Sequence, residues 1–506
     1  MKLLRLLSVS LAAVAVLAAF SFAQPIKTTR LIVIGARISN SDIPPRLVGR
    51  LRADTAIPES FPGGTVLRSG DSSYWAQGKL TPVFAFQPDI IVLHLGINDS
   101  KPVNWSDSAN FERDYKALID TLASMPTKPR IIVAYPTPVW TNETPPQSPG
   151  LLRGSVIGGS MLAKIRKVAK DKGTDTVDLY TPFLERQSLF NDGFNPTAAA
   201  LDTIARRIFI GFVEQSIRVL CIGNSITYAV NTNGTIPFKE TYAARLNMQL
   251  GNRYWVWNGG KSGWWMQRAT LPGSSTQYKS YITDKTQMDS IFQLKPHFIT
   301  VKLGTNDARQ NFWNTARFIT DYRYFIDTIY NNMTPKPKFV LLKAIPAWRI
   351  NGNWQFSNNG YTAAENGING DIIRDSLGPA IDAIAASRPT QVTSVVDLYT
   401  AFLPYGPGSS QNLVTDGVHP NRVGQDTLSR ILYRSLLPIV TSIHPGARQT
   451  PKAKVSMART LHFNARPVTA PRGIRSLDGK ATGSRQAAGV YVKPVTGSTA
   501  KKTGSK

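Results

Sequence analysis

The sequence predicts an α/β protein of two tandem three-layer α/β/α sandwiches, each built on a parallel sheet, and three observations predict it. Short β-branched runs alternate with stretches of helical periodicity such as 111–124 and 314–331, the pattern of parallel βαβ units. The alternation occurs twice, because residues 24–215 read as a copy of residues 216–440. In both copies a strand ends abruptly in glycine, at Gly35 and at Gly223, and the carboxyl ends of the strands are where such a sheet carries its chemistry.

Taken in order, the chain begins with Lys2 and Arg5, an apolar run from Leu6 to Phe20, and Ser21-Phe22-Ala23, a small-x-small pattern. Residues 1–23 therefore read as a secretory signal peptide, and the product as secreted, extracellular or cell-surface, with a periplasmic intermediate as one route. No later segment is long and apolar enough to span a bilayer. Cys221 is the single cysteine, so an exported chain is held by its cores rather than by disulfides, and 42% hydrophobic residues over 506 suffice for several.

The repeat runs through the whole of both copies. Ile90 to Gly96 leading to Asn98-Asp99 matches Phe298 to Gly304 leading to Asn306-Asp307, and Lys128-Pro129 matches Lys336-Pro337. Val177-Asp178-Leu179-Tyr180-Thr181 returns as Val396-Asp397-Leu398-Tyr399-Thr400. In the second copy, 238–250 has helical periodicity closed by Gly251, and Tyr254–Trp257 reads as the next strand. The stretch 348–370, rich in Asn and Gly, reads as a long loop able to wall one side of a cleft.

The tail, 441–506, is basic. After His444 there are thirteen Lys and Arg against one acid, Asp478, which accounts for +12 of the net charge of +27. The charge is thus partly that of an appendage suited to anionic surfaces or acidic polysaccharide, and no specific nucleic-acid motif accompanies it. The five histidines, at 94, 297, 419, 444 and 462, form no metal-ligand spacing, so no metal is expected.

Chemistry concentrates in the second copy. Ser225, just past the strand that ends at Gly223, is a candidate nucleophile; Asp416 and His419, three residues apart, offer a carboxylate to orient an imidazole and an imidazole to take the serine proton as it attacks an ester carbonyl. Segments 258–263 and 304–307 suit an oxyanion hole. Each motif alone is an ordinary turn; four in this order are not.

These four blocks resemble the SGNH hydrolases, also called GDSL esterases, over roughly 215–440, and within them the members that deacetylate carbohydrates. The resemblance implies a flavodoxin-like sheet, Ser225 as nucleophile, His419 as base, Asp416 as its orienter, and an oxyanion hole of the Ser225 and Gly263 amides with the Asn306 side chain. It implies a serine ester hydrolase, an acetylesterase on polysaccharide, with no cofactor. Asn224 departs from the aspartate of the family name. Trp264 and Trp265, beside Gly263, are candidates to stack on a sugar ring, and Arg309 is a further substrate-binding candidate.

In the first copy, alignment puts Arg37 at the place of Ser225, Asn195 at that of His419 and Gly70 at that of Gly263, with Asn98 and Asp192 kept. Neither a guanidinium nor an amide can run the reaction, so this copy is expected to be inactive, with Arg37 either reaching Asp192 to plug the site or binding an anionic sugar or carboxylate in a retained cleft. A carbohydrate- or wall-binding protein without catalysis is the alternative from another class; a lipase or thioesterase is the alternative within this one. In the tail, 473–480 with 489–494 resembles the sorting module of type IX secretion.

Overall fold

The computed structural model of the chain describes residues 29–443 except 36–41, 52–54, 61, 77, 145–147, 232–233, 272–277, 357–366 and 415. Residues 1–28, with the stretch read as a signal peptide, and the tail beyond 443, with the stretch likened to a sorting module, lie outside the described residues. So do Arg37 and its postulated bridge to Asp192.

The first copy builds a parallel sheet from β1 (Arg30–Gly35), β2 (Thr55–Ser60), β3 (Ile90–His94), β4 (Arg130–Ala134) and β5 (Asp175–Val177), in the order β2-β1-β3-β4-β5. The second uses β6 (Ile217–Gly223), β7 (Tyr254–Gly260), β8 (Phe298–Lys302), β9 (Lys338–Leu342) and β10 (Val392–Val396), in the order β7-β6-β8-β9-β10. The two orders are the same path through space. Leu31 to Ile34 and Ile90 to Leu93 are at most 2% exposed, as strands covered on both faces must be.

Helices cover the sheets in matching positions: α1 (Ile43–Leu51), α2 (Thr81–Phe86), α3 (Ser108–Ala123), α4 (Leu162–Lys172) and α5 (Ala198–Glu214) in the first copy. In the second, a single turn α6 (Ser225–Tyr228) is followed by α7 (Tyr242–Leu250), α8 (Lys285–Leu294), α9 (Thr315–Asn331), α10 (Gly378–Ala386) and α11 (Arg422–Ile443). The pair α3 and α9 shows the cause: Phe111, Tyr115, Leu118 and Leu122 at helical spacing are buried, as are Phe318, Tyr322, Phe325 and Ile329. Each such side chain contributes roughly 1.5–3 kcal/mol by leaving water.

Two boundaries differ from the sequence reading. The helix expected over 238–250 starts only at Tyr242, because Thr241 caps it with Oγ1 accepting from the Ala244 amide at 3.2 Å, while Phe238–Glu240 form a separate 3₁₀ turn. The strand expected to end at Trp257 runs to Gly260, paired throughout with β6. The repeated Val-Asp-Leu-Tyr-Thr motif has a local role: Asp178 and Asp397 accept from the amides of Thr181 and Thr400 and close the turn after the last strand.

The copies share an interface. Trp255 of β7 is 3% exposed and packs into the first copy's core against Phe209 and Phe212 of α5. Beside it the buried Arg130 guanidinium pairs with Asp175 and donates to Ser216 Oγ and the Asn252 carbonyl, both at 2.8 Å. The first copy therefore covers the beginning of the edge strand of the second sheet.

Candidate active site

Ser225 sits where β6 gives way to α6. Gly223 lies between Lys302 and Gly260 of the flanking strands, so the next residues emerge at the carboxyl edge. Asn224 Oδ1 accepts from the Ile226 amide at 3.2 Å and caps the one-turn helix, a role for which Asn serves as well as Asp. Ser225 is left 8% exposed.

The partners of Ser225 come from far along the chain. His419 Nε2 stands 2.8 Å from Ser225 Oγ, and His419 Nδ1 2.8 Å from Asp416 Oδ2. Asp416 also accepts from the Val418 and His419 amides at 3.0 and 2.6 Å. Burial works against its charge, but the hydrogen bonds from the His419 ring and main chain outweigh burial and hold its carboxyl below the usual range. Gly417 has φ +80°, and a Cβ there would come within 2.6 Å of the Trp348 carbonyl, so only glycine lets the turn lie against that segment. The Gly417 carbonyl accepts from the Trp348 amide at 2.9 Å, which fixes the turn to the segment that follows β9.

The second and third blocks, 258–263 and 304–307, lie against one another. The Lys261 amide donates to the Gly223 carbonyl at 2.9 Å and Asn258 Nδ2 to the Thr227 carbonyl at 2.8 Å, bringing the 258–263 loop against α6. Asn306 is 5% exposed and donates one amide hydrogen to the Trp264 carbonyl at 2.8 Å, leaving the other for a ligand. Asp307 underpins both loops, accepting from the Met266 and Gln267 amides; burial pushes its carboxyl up to about 6 against these donors. A serine hydroxyl, an imidazole, a carboxylate and the Asn306 side-chain amide thus lie at one edge of the sheet, groups whose chemistry is able to run acyl transfer.

The structure corrects the substrate-binding candidates. Trp265 is 2% exposed, packed on Phe312, with its indole N–H donating to the Ala269 carbonyl. Trp264 is 8% exposed and edge-on to Tyr281 in the core, so its contribution to the site is its carbonyl. Arg309 is buried, its Nε on the Asn306 carbonyl at 3.2 Å and its Nη1 on the Phe356 carbonyl at 2.6 Å. Burial lowers it to about 10, with Asp307 opposing. It joins the 348–370 loop to the Asn306 turn instead of facing substrate.

Two aromatics were missed. The Phe356 ring, 43% exposed, stands edge-to-face to the His419 imidazole at 4.7 Å, its φ of +60° unusual for a bulky residue. Tyr278, 39% exposed, lies against Gly263, where an added Cβ would meet its ring at 2.3 Å. No short motif marks either one, because each is brought in by a loop.

The first copy requires a further correction. Asp99 accepts from the Val66 and Leu67 amides just as Asp307 does from Met266 and Gln267, which sets Gly63, not Gly70, opposite Gly263. Gly63 and Gly263 share positive φ, +83° and +78°, and Asn98 Nδ2 reaches the Gly64 carbonyl at 3.4 Å as Asn306 reaches Trp264. Gly70 instead donates to the Leu67 carbonyl in a later turn. Asp192 is occupied by its own loop: the Asn195 amide and side chain donate to its two oxygens at 2.8 and 2.5 Å.

The sequence pattern of the GDSL-like lipase/acylhydrolase family matches residues 32–200 and again 221–427. An acetylxylan esterase of Xylanibacter ruminicola is 27% identical over 240 residues, a span covering 43% of this chain and 43% of that protein, so the chain spans less than half the length of that curated relative. Among solved structures, Est24, a carbohydrate acetylesterase from Sinorhizobium meliloti, is similar at 15% identity and the aryl esterase of M. smegmatis at 17%. Each match covers 44% of this chain and 99% of the other, with a TM-score of 0.35.

Proposed function

The chain belongs to the GDSL-like lipase/acylhydrolase family, and from that premise we propose that its second copy is a serine esterase that removes acetyl groups from carbohydrate. The observation that carries the reading is the unbroken line from Asp416 through His419 to Ser225, with 2.8 Å at each step. The acetylxylan esterase relative supports the acetyl and carbohydrate parts of it.

In this mechanism Ser225 Oγ attacks the acetyl carbonyl carbon while its proton passes to His419 Nε2. The new C–O bond forms as the carbonyl π bond opens, and the negative charge falls on the oxygen. The Ser225 and Gly263 amides and the spare Asn306 hydrogen stabilise that oxyanion. Collapse breaks the bond to the sugar oxygen, which takes the proton from His419 and leaves as a hydroxyl. Water then attacks the acyl-enzyme, gives its proton to His419, and acetate departs as Ser225 recovers its own. Asp416, held below the usual carboxylate range, stays charged to stabilise the imidazolium.

The first copy is a non-catalytic support in this reading, favoured by Asn195 at the base position. The leader-like residues 1–23 support export, and the basic residues after His444 support contact with an anionic surface. The test is acetate release from an acetylated plant polysaccharide and from an aryl acetate. Wild type should release acetate from both, and Ser225→Ala should lose at least ~10³-fold on each. Activity on the aryl ester alone would exclude the carbohydrate substrate, and an active Ser225→Ala enzyme would exclude the nucleophile.

A further inference from the structure

Beside the triad, a groove of about 710 Å³ runs along the edge strand β7 toward the far end of α8. Its size is that of pockets that take a whole small ligand or several residues of a polymer. Its lining adjoins the site without including Ser225 or His419: Tyr228, which lines it, closes the helical turn that Ser225 begins, and Lys261, also lining, donates its amide to the Gly223 carbonyl.

The lining has a consistent chemistry. Tyr228 and Phe238 are 48% and 43% exposed, and Trp257 is half-buried behind them. Aromatic surface of this kind suits the C–H faces of a pyranose ring. Opposite, α8 presents Gln287, Ser290 and Gln293, each three residues after the last and so on one face of the helix. Neutral donors and acceptors in a row suit hydroxyl groups. The described lining holds no carboxylate and one cation, Lys261, so neither a polycation nor a strongly anionic ligand is matched.

The first copy lacks this chemistry. By the register that sets Ile90 opposite Phe298, Pro82 and Ala85 stand where Ser290 and Gln293 are, on a short helix, Thr81–Phe86, made almost wholly of apolar residues. The row of polar side chains occurs only beside the intact triad.

We infer that this groove is a subsite for the neutral polysaccharide chain that bears the scissile acetyl group, holding sugar residues beyond the one being deacetylated. The inference rests on the carbohydrate ester reading of Ser225 and adds where the rest of the polymer lies. Sugar rings stack on Tyr228 and Phe238, and their hydroxyls bond to Gln287 and Gln293. An acyl chain is the competing occupant; the amide row opposes it.

The experiment uses the full chain carrying Ser225→Ala, alone and combined with Phe238→Ala, Phe238→Tyr or Gln287→Ala, in affinity gels containing deacetylated xylan. Retardation should weaken at least ~5-fold with Phe238→Ala and ~3-fold with Gln287→Ala, and recover with Phe238→Tyr, which keeps the ring. In the Ser225 background, Phe238→Ala should lower kcat/KM on the acetylated polymer ~10-fold more than on an aryl acetate. Unchanged retardation, or equal losses on polymer and aryl ester, would overturn the subsite. So would a loss confined to aryl octanoate, which would place an acyl chain there. Retardation does not depend on turnover: binding without any acetate release refutes the esterase reading alone, and acetate release with unaltered retardation refutes the groove alone.

Discussion

At 192–195 and at 416–419 the chain makes the same turn around different chemistry. In both, an aspartate accepts from main-chain amides two and three residues on, and its second oxygen takes a side-chain nitrogen: Asn195 Nδ2 in the first copy, His419 Nδ1 in the second. In both, a glycine with φ near +80° lies against the carbonyl of a tryptophan, Trp140 or Trp348. The turn is thus a property of the Asp-Gly frame and is indifferent to what the fourth residue can do as a base. Catalysis can leave such a loop without disturbing the fold.

The sharpest way to break that comparison is to impose the first copy's residue on the second. His419→Asn should keep the turn, since Asn195 already makes it, and lose about 10⁴-fold or more in kcat for want of a base. Circular dichroism melting should show a midpoint within about 2 °C of wild type. A large fall in the midpoint would mean that the imidazole, unlike the amide, holds the loop together.

The next comparison is between the two copies as packing partners. The first copy's Arg130–Asp175 pair is buried at the shared face, with Arg253 of the second copy 3.3 Å from Asp175. Asp175→Ala leaves the Arg130 guanidinium with neutral acceptors only, and should cost about 3–5 kcal/mol in denaturant unfolding. Trp255 fluorescence should register the loosened face before activity at 25 °C changes. If stability is untouched, the first copy is a passenger rather than a support.

A third comparison concerns matched buried bases. His94 and Lys302 occupy one position in the two sheets, 2% and 1% exposed, and no described group hydrogen-bonds either ring nitrogen of His94 or Lys302 Nζ. Burial lowers Lys302 from 10.5 to about 7 and His94 from 6.5 to about 4. For each, the unfolded chain binds the proton more readily, so stability rises with pH between the folded and unfolded values. The Lys302 penalty is full below pH 7 and gone above 10.5; that of His94 is absent above 6.5 and full below 4. Lys302→Met should therefore stabilise at pH 7 by on the order of 4 kcal/mol and have little effect above pH 10.5, whereas His94→Leu should stabilise only on the acid side. Identical pH profiles for the two variants would refute the assignment.

Much of this architecture was legible because repetition and periodicity are local. Strand ends at Gly35 and Gly223, the Asp416–His419 spacing and the buried stripes of α3 and α9 depend on near neighbours, and the sequence shows them directly. The misreadings arose where tertiary packing chose among similar residues. Gly70 followed a serine, as Gly263 does, but it is the carboxylate of Asp99, 33 residues from Val66, that fixes Gly63 as the true equivalent. Trp264 and Trp265 follow Gly263, yet the turn there packs both side chains inward, toward Tyr281 and Phe312. Phe356 and Tyr278 reach the site only through loop geometry, which carries no periodic signal.

The smallest expected effect concerns the loop over the histidine. Arg309 and Lys101 occupy one position in the two copies: Lys101 turns to Asp71 at 2.8 Å, while Arg309 spans from the Asn306 carbonyl to the Phe356 carbonyl. The guanidinium fork can hold two carbonyls at once, which a lysine ammonium at the end of a flexible stem does less well. That hold places Phe356, in a left-handed conformation costing roughly 1–2 kcal/mol, edge-to-face against His419. Arg309→Lys should free the loop to relax and lower kcat on an aryl acetate about 5–10-fold with KM nearly constant, because the loss is in the posture of the base and not in substrate contact. Phe356→Leu should reproduce the kcat effect with Arg309 intact. If Arg309→Lys raises KM instead, the guanidinium meets substrate directly, and the difference between the two copies at this position is one of binding.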